Sequence, residues 1–310
     1  MKLKHIFIAV MLALPLLANA QSRSLPILEI YPDARAAGMG GNQYGESDNM
    51  LTYTNPTSLL YIKAKNNVSA TTQVFPKGEG DIGRLMYYGV SLSHKFGSMH
   101  GVHAGFRYLG GYDIPMDNGK NLKPADWKLD LAYSIRLFDN FSASVGASYI
   151  HSKVVEEAST VAFNVAAYYR NSFKAGVEMD YVVGINAANM GPNLDYGKGL
   201  KESKLPASYG GGGELSMKIN EVHRLGVSLA AQYYYYPTSA DMFTGNVGLE
   251  YTLLDMVSFR GGYKYADHDY SHASVGAGVT FGNIHLSGAF MWGLGDNEVN
   301  QSIFSLGFSF

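Results

Sequence analysis

Eight charged residues are the first candidates for chemistry: Lys128, Asp130, Arg136, Glu178, Asp180, Glu250, Arg260 and Lys264. Each falls on the polar face of a short stretch in which polar and apolar side chains alternate. Glu250 and Arg260 are equidistant from Asp255, so a chain that reverses there sets them opposite one another as a cross-strand ion pair. The set is balanced in sign, four acids against four bases. That balance fits a polar network filling an enclosed space better than a pore selective for one charge. No nucleophile, base and oxyanion donors fall together in the sequence, and no enzyme is expected. The chain has no cysteine, which excludes disulfides, thiolate metal sites and a lipid-modified N-terminal Cys. Asp267, His268, Asp269 and His272 in "ADHDYSHAS" read as an exposed loop. His100 and His103 in "HGVH" fall on opposite faces of a strand. No metal and no cofactor are expected. The run Gly210 to Gly213 lacks the Gly-Lys-Ser/Thr of a phosphate loop. On a strand it gives another backbone room to come close, and the N-terminal segment is the candidate to pack there.

The elements that carry these residues follow from period-2 patterning. Leu129, Leu131, Tyr133, Ile135 and Leu137 oppose Lys128, Asp130, Ser134 and Arg136. Phe141, Ala143, Val145, Ala147 and Tyr149 oppose serines and a glycine, and Ala273, Val275, Ala277, Val279 and Phe281 oppose Ser274, Gly276, Gly278 and Thr280. About ten residues of such alternation make one bilayer crossing by a tilted strand. About fourteen segments qualify: 66–76, 84–97, 99–112, 127–138, 141–153, 159–170, 173–189, 206–219, 223–236, 242–253, 256–266, 272–282, 284–293 and 301–310. Short connections ("FGSM", "FDN", "RNS", "INEV", "LLDM", "FGN") alternate with longer polar ones. The fold class is therefore all-β, an antiparallel transmembrane barrel of the outer-membrane type with outer-membrane lipid around it. The content of 36 Gly, 23 Tyr and 15 Phe at 16% charged residues suits a wall facing lipid, with "YYYYP" in the outer aromatic girdle.

The two ends of the chain read differently from the wall. Residues 1–20 carry Lys2 and Lys4, an apolar run from Ile6 to Leu17 and an A-x-A pattern at Ala18 to Ala20, the features of a cleaved export leader. Without those two lysines, 22 basic residues face 26 acidic ones, so nucleic acid is not an expected partner. Residues 21–63 lack alternation and precede the barrel at 64–310 as a separate plug segment. Its core is "PDARAAGMGG", in which Ala34, Ala36, Ala37, Gly38, Gly40 and Gly41 are small, Met39 is apolar and Arg35 is long and charged. Threaded through a crowded interior, Arg35 would need an inward carboxylate, with Asp130, Glu178, Asp180 and Glu250 as candidates. The last strand alternates Phe304, Leu306, Phe308 and Phe310 with small polar residues. Ending on Phe308 and Phe310, it resembles the signal recognised by the barrel assembly machinery.

"PDARAAGMGGNQYGESDNMLTYTNPTSLL" resembles the N-terminal segment of the PorV/PorQ proteins of type IX secretion and of FadL-like channels. In both groups an Ala/Gly run leads to an Asn-Pro-Ala-like turn, here Asn55-Pro56-Thr57 with Thr at the third position. "LDLAYSIRLFDNFSASVGASYIHSKV", "STVAFNVAAYYR", "YVVGINAANMGPNLDYG", "VSFRGGYKY" and "ASVGAGVTFGNIHLSGAF" are similar in order and spacing to the PorV barrel. The resemblance implies a fourteen-stranded barrel that works with secretion-machinery proteins or secreted cargo. A FadL-like channel for hydrophobic small molecules is the alternative, and a barrel of this family unrelated to secretion is the third. The extracellular loops are short for a PorV-like protein.

Overall fold

Apolar and polar residues in strict alternation can only be satisfied by a wall with two solvents, lipid outside and an enclosed polar interior. The computed structural model describes residues 25–47, 49–78, 80, 82–116, 119–197, 202–238, 241–296 and 299–310. The expected leader, residues 1–20, lies outside them. The strands are β1 (Asn66–Lys77), β2 (Gly83–Phe96), β3 (His100–Tyr112), β4 (Ile114–Pro115), β5 (Asn121–Leu122), β6 (Ala125–Phe138), β7 (Phe141–Lys153) and β8 (Glu157–Ala175). They continue with β9 (Val177–Met190), β10 (Ala207–Lys218), β11 (His223–Tyr236), β12 (Met242–Leu253), β13 (Val257–Ala266), β14 (His272–Phe281), β15 (Ile284–Gly293) and β16 (Gln301–Ser309). All except β4 and β5 form one closed antiparallel barrel of fourteen strands, sealed where β1 pairs with β16. Closure leaves no free strand edge, as the hydrocarbon region requires.

The two faces separate cleanly. On β6, Leu129, Leu131 and Leu137 are exposed on the outer surface while Lys128, Asp130 and Ser134 are buried inside. On β16, Phe304, Leu306 and Phe308 point outward, with Phe310 following them, and Ile303, Ser305 and Ser309 point inward. Phe308 and Phe310 stack with ring centroids 5.0 Å apart at the short-turn rim. At the other rim Tyr209, Tyr233 and Tyr235 form a cluster of ring contacts.

The connections differ from the sequence reading in two places. "RNS" is not a turn: Asn171 pairs with Tyr181 and Ser172 with Asp180, so β8 runs on and the chain reverses at Gly176. Polar side chains at a strand end, where the wall meets solvent, are compatible with continued pairing, and the ladder overrides their turn preference. The loops at the opposite end are not merely polar tethers. Residues 113–124 contain the small ribbon of β4 and β5. Leu194 and Leu205, from the loop after β9, fold inward onto Leu25 and Ile150.

Residues 25–65 lie within the wall. Leu25 and Ile27 pack among side chains near the long-loop end, and Lys65 reaches the short-turn end, where its N–H donates to the carbonyl of Phe310. The segment therefore traverses the interior from one mouth to the other. Its regular parts are a 3-10 turn at Pro26–Leu28, a single-turn helix at Ala34–Gly38 and a second 3-10 turn at Pro56–Leu60.

The lipid-facing wall generates a first prediction. Leu131, 67% exposed on the outer face, should tolerate Phe but not charge. Leu131→Arg should cost about 2–4 kcal/mol, read from urea unfolding in phospholipid vesicles, and an unchanged unfolding free energy would contradict the assignment of this face to lipid.

Candidate functional site: the occupied lumen

The helix at Ala34–Gly38 begins where Asp33 accepts hydrogen bonds from the N–H groups of Arg35 and Ala36. Its small residues are a packing requirement. Ala34 and Ala37 lie against Ala289, Met291 and Ile303 of the wall. The Ala34 N–H donates to Ser305 Oγ at 2.9 Å, and Ser274 Oγ donates to the carbonyl of Gly38 at 3.2 Å. At Gly40 φ is +72°, a left-handed conformation, and a Cβ would stand 2.7 Å from the carbonyl oxygen of Tyr263. The wall reciprocates: a Cβ on Gly262 would lie 2.1 Å from the nitrogen of Gly40. Two backbones meet there with no room for a side chain on either.

Arg35 turns from this helix into the most concentrated set of buried charges in contact with the segment. Its Nε and Nη2 donate to the two oxygens of Glu250 at 3.1 and 2.9 Å. Nη2 also donates to Glu214 at 2.7 Å, and Nη1 to the carbonyl of Glu46 at 2.6 Å. Arg260 completes the cluster by donating from Nε to Glu250. Two cations thus face two carboxylates, all at least 88% removed from solvent. Burial opposes the Arg35 charge, but Glu214 and Glu250 outweigh it and hold its pKa above the ordinary value. The fork matches a carboxylate with two parallel bonds, which a lysine could not do.

The remaining predicted residues distribute over three places. Lys128 and Asp130 pair at 3.0 Å high on the wall, with Ser148 donating to Asp130 at 2.6 Å and Arg107 Nε 3.8 Å away. Tyr53 of the segment lies 4.3 Å beneath Arg107, and burial raises its phenol pKa. Lys264 stands 5.4 Å over the ring of Tyr31. Arg136, Glu178 and Asp180 are not part of a continuous interior network. They sit at the short-turn mouth, where Arg136 lies 5.5 Å from the Tyr61 ring and Asp180 accepts from Ser172. Of the four carboxylates considered for Arg35, only Glu250 meets it. Asp130 is taken by Lys128 and Ser148, and Glu178 and Asp180 stand at the mouth. Glu214 and Arg107 were missed, although alternation with Gly212 and Ser216, and with Gly105 and Leu109, places both on the inner face.

Asn55 begins the 3-10 turn by accepting from the N–H of Thr57, and its Nδ2 donates back to the carbonyl of Gly45, which ties the two halves of the segment together. Pro56 occupies the first position of that turn, where no N–H is needed. Glu46 links the turn to the wall through Ser58 and through Arg170 at 2.7 Å. Near the glycine run of β10, Tyr44 donates to Asn186 at 2.8 Å, and a Cβ on Gly210 would lie 2.4 Å from the Tyr44 hydroxyl. His103 bridges Ser93 and Ser134 inside the wall, while His100 contacts Tyr133 outside. Asp267 and His268 tie their loop to the start of β12 and the connection before it, Asp267 accepting from the Phe243 N–H and His268 contacting the carbonyl of Asp241.

Two cavities flank the segment. One of about 370 Å³ lies toward the long loops, between apolar Leu28, Phe75, Leu85 and Leu109 and polar Lys128 and Asp130. The other, about 580 Å³, lies toward the short turns and is lined by Arg35, Glu46, Arg170, Glu214, Glu250 and Arg260 among other polar groups.

With this geometry in view, the chain can be compared with known proteins. Residues 18–241 match the family described as Type IX secretion system protein PorV. The chain belongs to the PorV family. No curated protein sequence matches it. Among solved structures, the PorV-family chain resembles the toluene transporter TodX of P. putida at TM-score 0.60 and 13% identity, over 91% of this chain and 99% of that one. It resembles the toluene transporter TbuX of Ralstonia pickettii at 0.59 and 13%, over 92% and 100%. The monoaromatic hydrocarbon channel CymD gives 0.60 and 12%, over 93% and 99%. At these identities the likeness is one of fold. The closed transmembrane barrel together with membership of the PorV family places the chain in the outer membrane.

Two predictions follow from the Arg35 cluster and the backbone contact at Gly40. Arg35→Ala leaves Glu214 facing no guanidinium partner and should cost about 3–5 kcal/mol, read from urea unfolding. An unchanged midpoint would show that the cluster does not hold the segment. Gly262→Val should make residues 26–63 accessible to protease in the folded barrel, whereas Gly261→Val, on the outer face of the same strand with open space around it, should not.

Proposed function

We propose that this outer-membrane barrel acts in type IX secretion as a scaffold or shuttle for secreted or surface-attached proteins, with residues 21–63 as its plug. Its partners would be machinery subunits and cargo at the long-loop face. In the same reading, residues 1–20 are a removed export leader, and Phe308 and Phe310 are read by the barrel assembly machinery. Membership of the PorV family supports the role in secretion. The observation that carries it is the Arg35–Glu214–Glu250–Arg260 cluster between the two cavities. A barrel whose waist is filled by buried ion pairs to its own N-terminal segment offers no continuous apolar path for a hydrophobic solute. It offers a rigid platform instead.

One observation favours a second reading, passage of small hydrophobic molecules. The wall of the upper cavity near Leu28, Phe75, Leu85 and Leu109 is apolar, and the structures of similar fold include toluene transporters. Affinity capture of the tagged protein from detergent-solubilised outer membrane separates the two. Recovery of secretion-machinery subunits or cargo is the expected result. A copurifying hydrophobic small molecule with no protein partner would overturn the scaffold reading in favour of the second.

A further inference from the structure

The short-turn mouth carries four cations, Lys63, Lys65, Lys95 and Arg136, that no described carboxylate pairs. Residues 62–65 arch over this mouth as the chain passes from the interior into β1. Lys95 lies beneath the arch: its ammonium donates to the carbonyl of Ile62 and its backbone N–H to the carbonyl of Lys65. Lys63 and Lys65 are exposed on the arch itself. Arg136 stands beside it, 5.5 Å from the ring of Tyr61, whose ring also receives Arg170 at 3.5 Å.

Among the described residues, Lys63, Lys65, Lys95 and Arg136 make no ion pair. The nearby carboxylates do not change this. Glu46 is engaged by Arg170 and Ser58, and Asp139 is exposed on the turn between β6 and β7 with no ion pair to Arg136. The cations on the opposite side of the mouth behave differently. Lys218 pairs with Glu221 at 2.9 Å, and Arg224 lies 3.2 Å from Asp255 and 3.9 Å from Asp180. Lys218 and Arg224 are therefore neutralised by neighbouring carboxylates, and the four cations around the arch are not.

We propose that this basic cluster is a docking site for an extended acidic segment of a protein partner on the short-turn side, which in outer-membrane barrels faces the periplasm. Two observations select that partner. The uncompensated charges call for an anion. Lys95 and Arg136 project from the inner face of the wall, in line with buried Ser93 and Ser134 and away from lipid-facing Phe96 and Leu137, so membrane headgroups are poorly placed to reach them. Such a contact would leave the long-loop face free, and it stands whether or not cargo is handled there.

The test uses the full-length protein in zwitterionic nanodiscs and a fluorescent decaglutamate peptide, read by anisotropy. Wild type should bind decaglutamate and not decalysine, with affinity falling as salt rises from about 50 to 200 mM. Lys63→Glu with Lys65→Glu should weaken binding about tenfold or more. Lys174→Glu, the same charge change at the same mouth outside the basic cluster, should leave it within about twofold. Heat-modifiable gel migration verifies that each variant is a folded barrel. Failure of wild type to bind, equal binding by the reversed variant, or equal loss in Lys174→Glu would each overturn the proposal. So would loss of peptide binding in nanodiscs containing anionic lipid, which would assign the lysines to headgroups.

Discussion

A guanidinium shared between two buried carboxylates is the interaction on which the interior of this barrel depends. Glu214 and Glu250 come from strands that are not neighbours, β10 and β12, with β11 between them, where Ser228 lies opposite Glu214 and Gly226 opposite Glu250. Two carboxylates held that close inside a wall repel one another and lose hydration unless a cation lies within reach of both. Arg260 reaches Glu250 alone. Arg35 reaches both, and it can do so only because the helix bearing it approaches the wall closely. That approach accounts for the composition around it, since Gly38, Met39 and Gly40 face Gly276, Gly248 and Gly262 across gaps with little or no room for a further carbon. Charge and smallness are thus two halves of one requirement.

The wall was legible in the sequence because its two solvents impose a period of two, and hairpins make neighbours of residues equidistant from a turn. The Glu250 to Arg260 register follows from that rule alone. So does the separation of His100 from His103. Contacts of the N-terminal segment obey no such rule. Arg35 and Glu214 are 179 positions apart, and nothing in the local pattern around "GGGGELS" names the partner. Alternation could place Glu214 and Arg107 on the inner face, but not decide which of several inward charges would meet the segment. Where local polarity was read as a turn, at Arg170 to Ser172, the strand pairing of β8 with β9 prevailed.

The hydrocarbon channels of similar fold share nearly their whole length with this chain at 12–13% identity, so the wall is reproduced while the side chains are not. What distinguishes one lumen from another is therefore the inward set. Here it contains serines, paired charges and close glycine contacts rather than a continuous apolar lining. An occupied waist with a cavity on each side suits a protein whose two mouths act separately.

Ionic conductance across a planar bilayer tests most directly whether the N-terminal segment closes the barrel. The full-length protein should show no steady conductance, and deletion of residues 25–60 should produce a steady open level. Equal conductance from the two proteins would contradict the account.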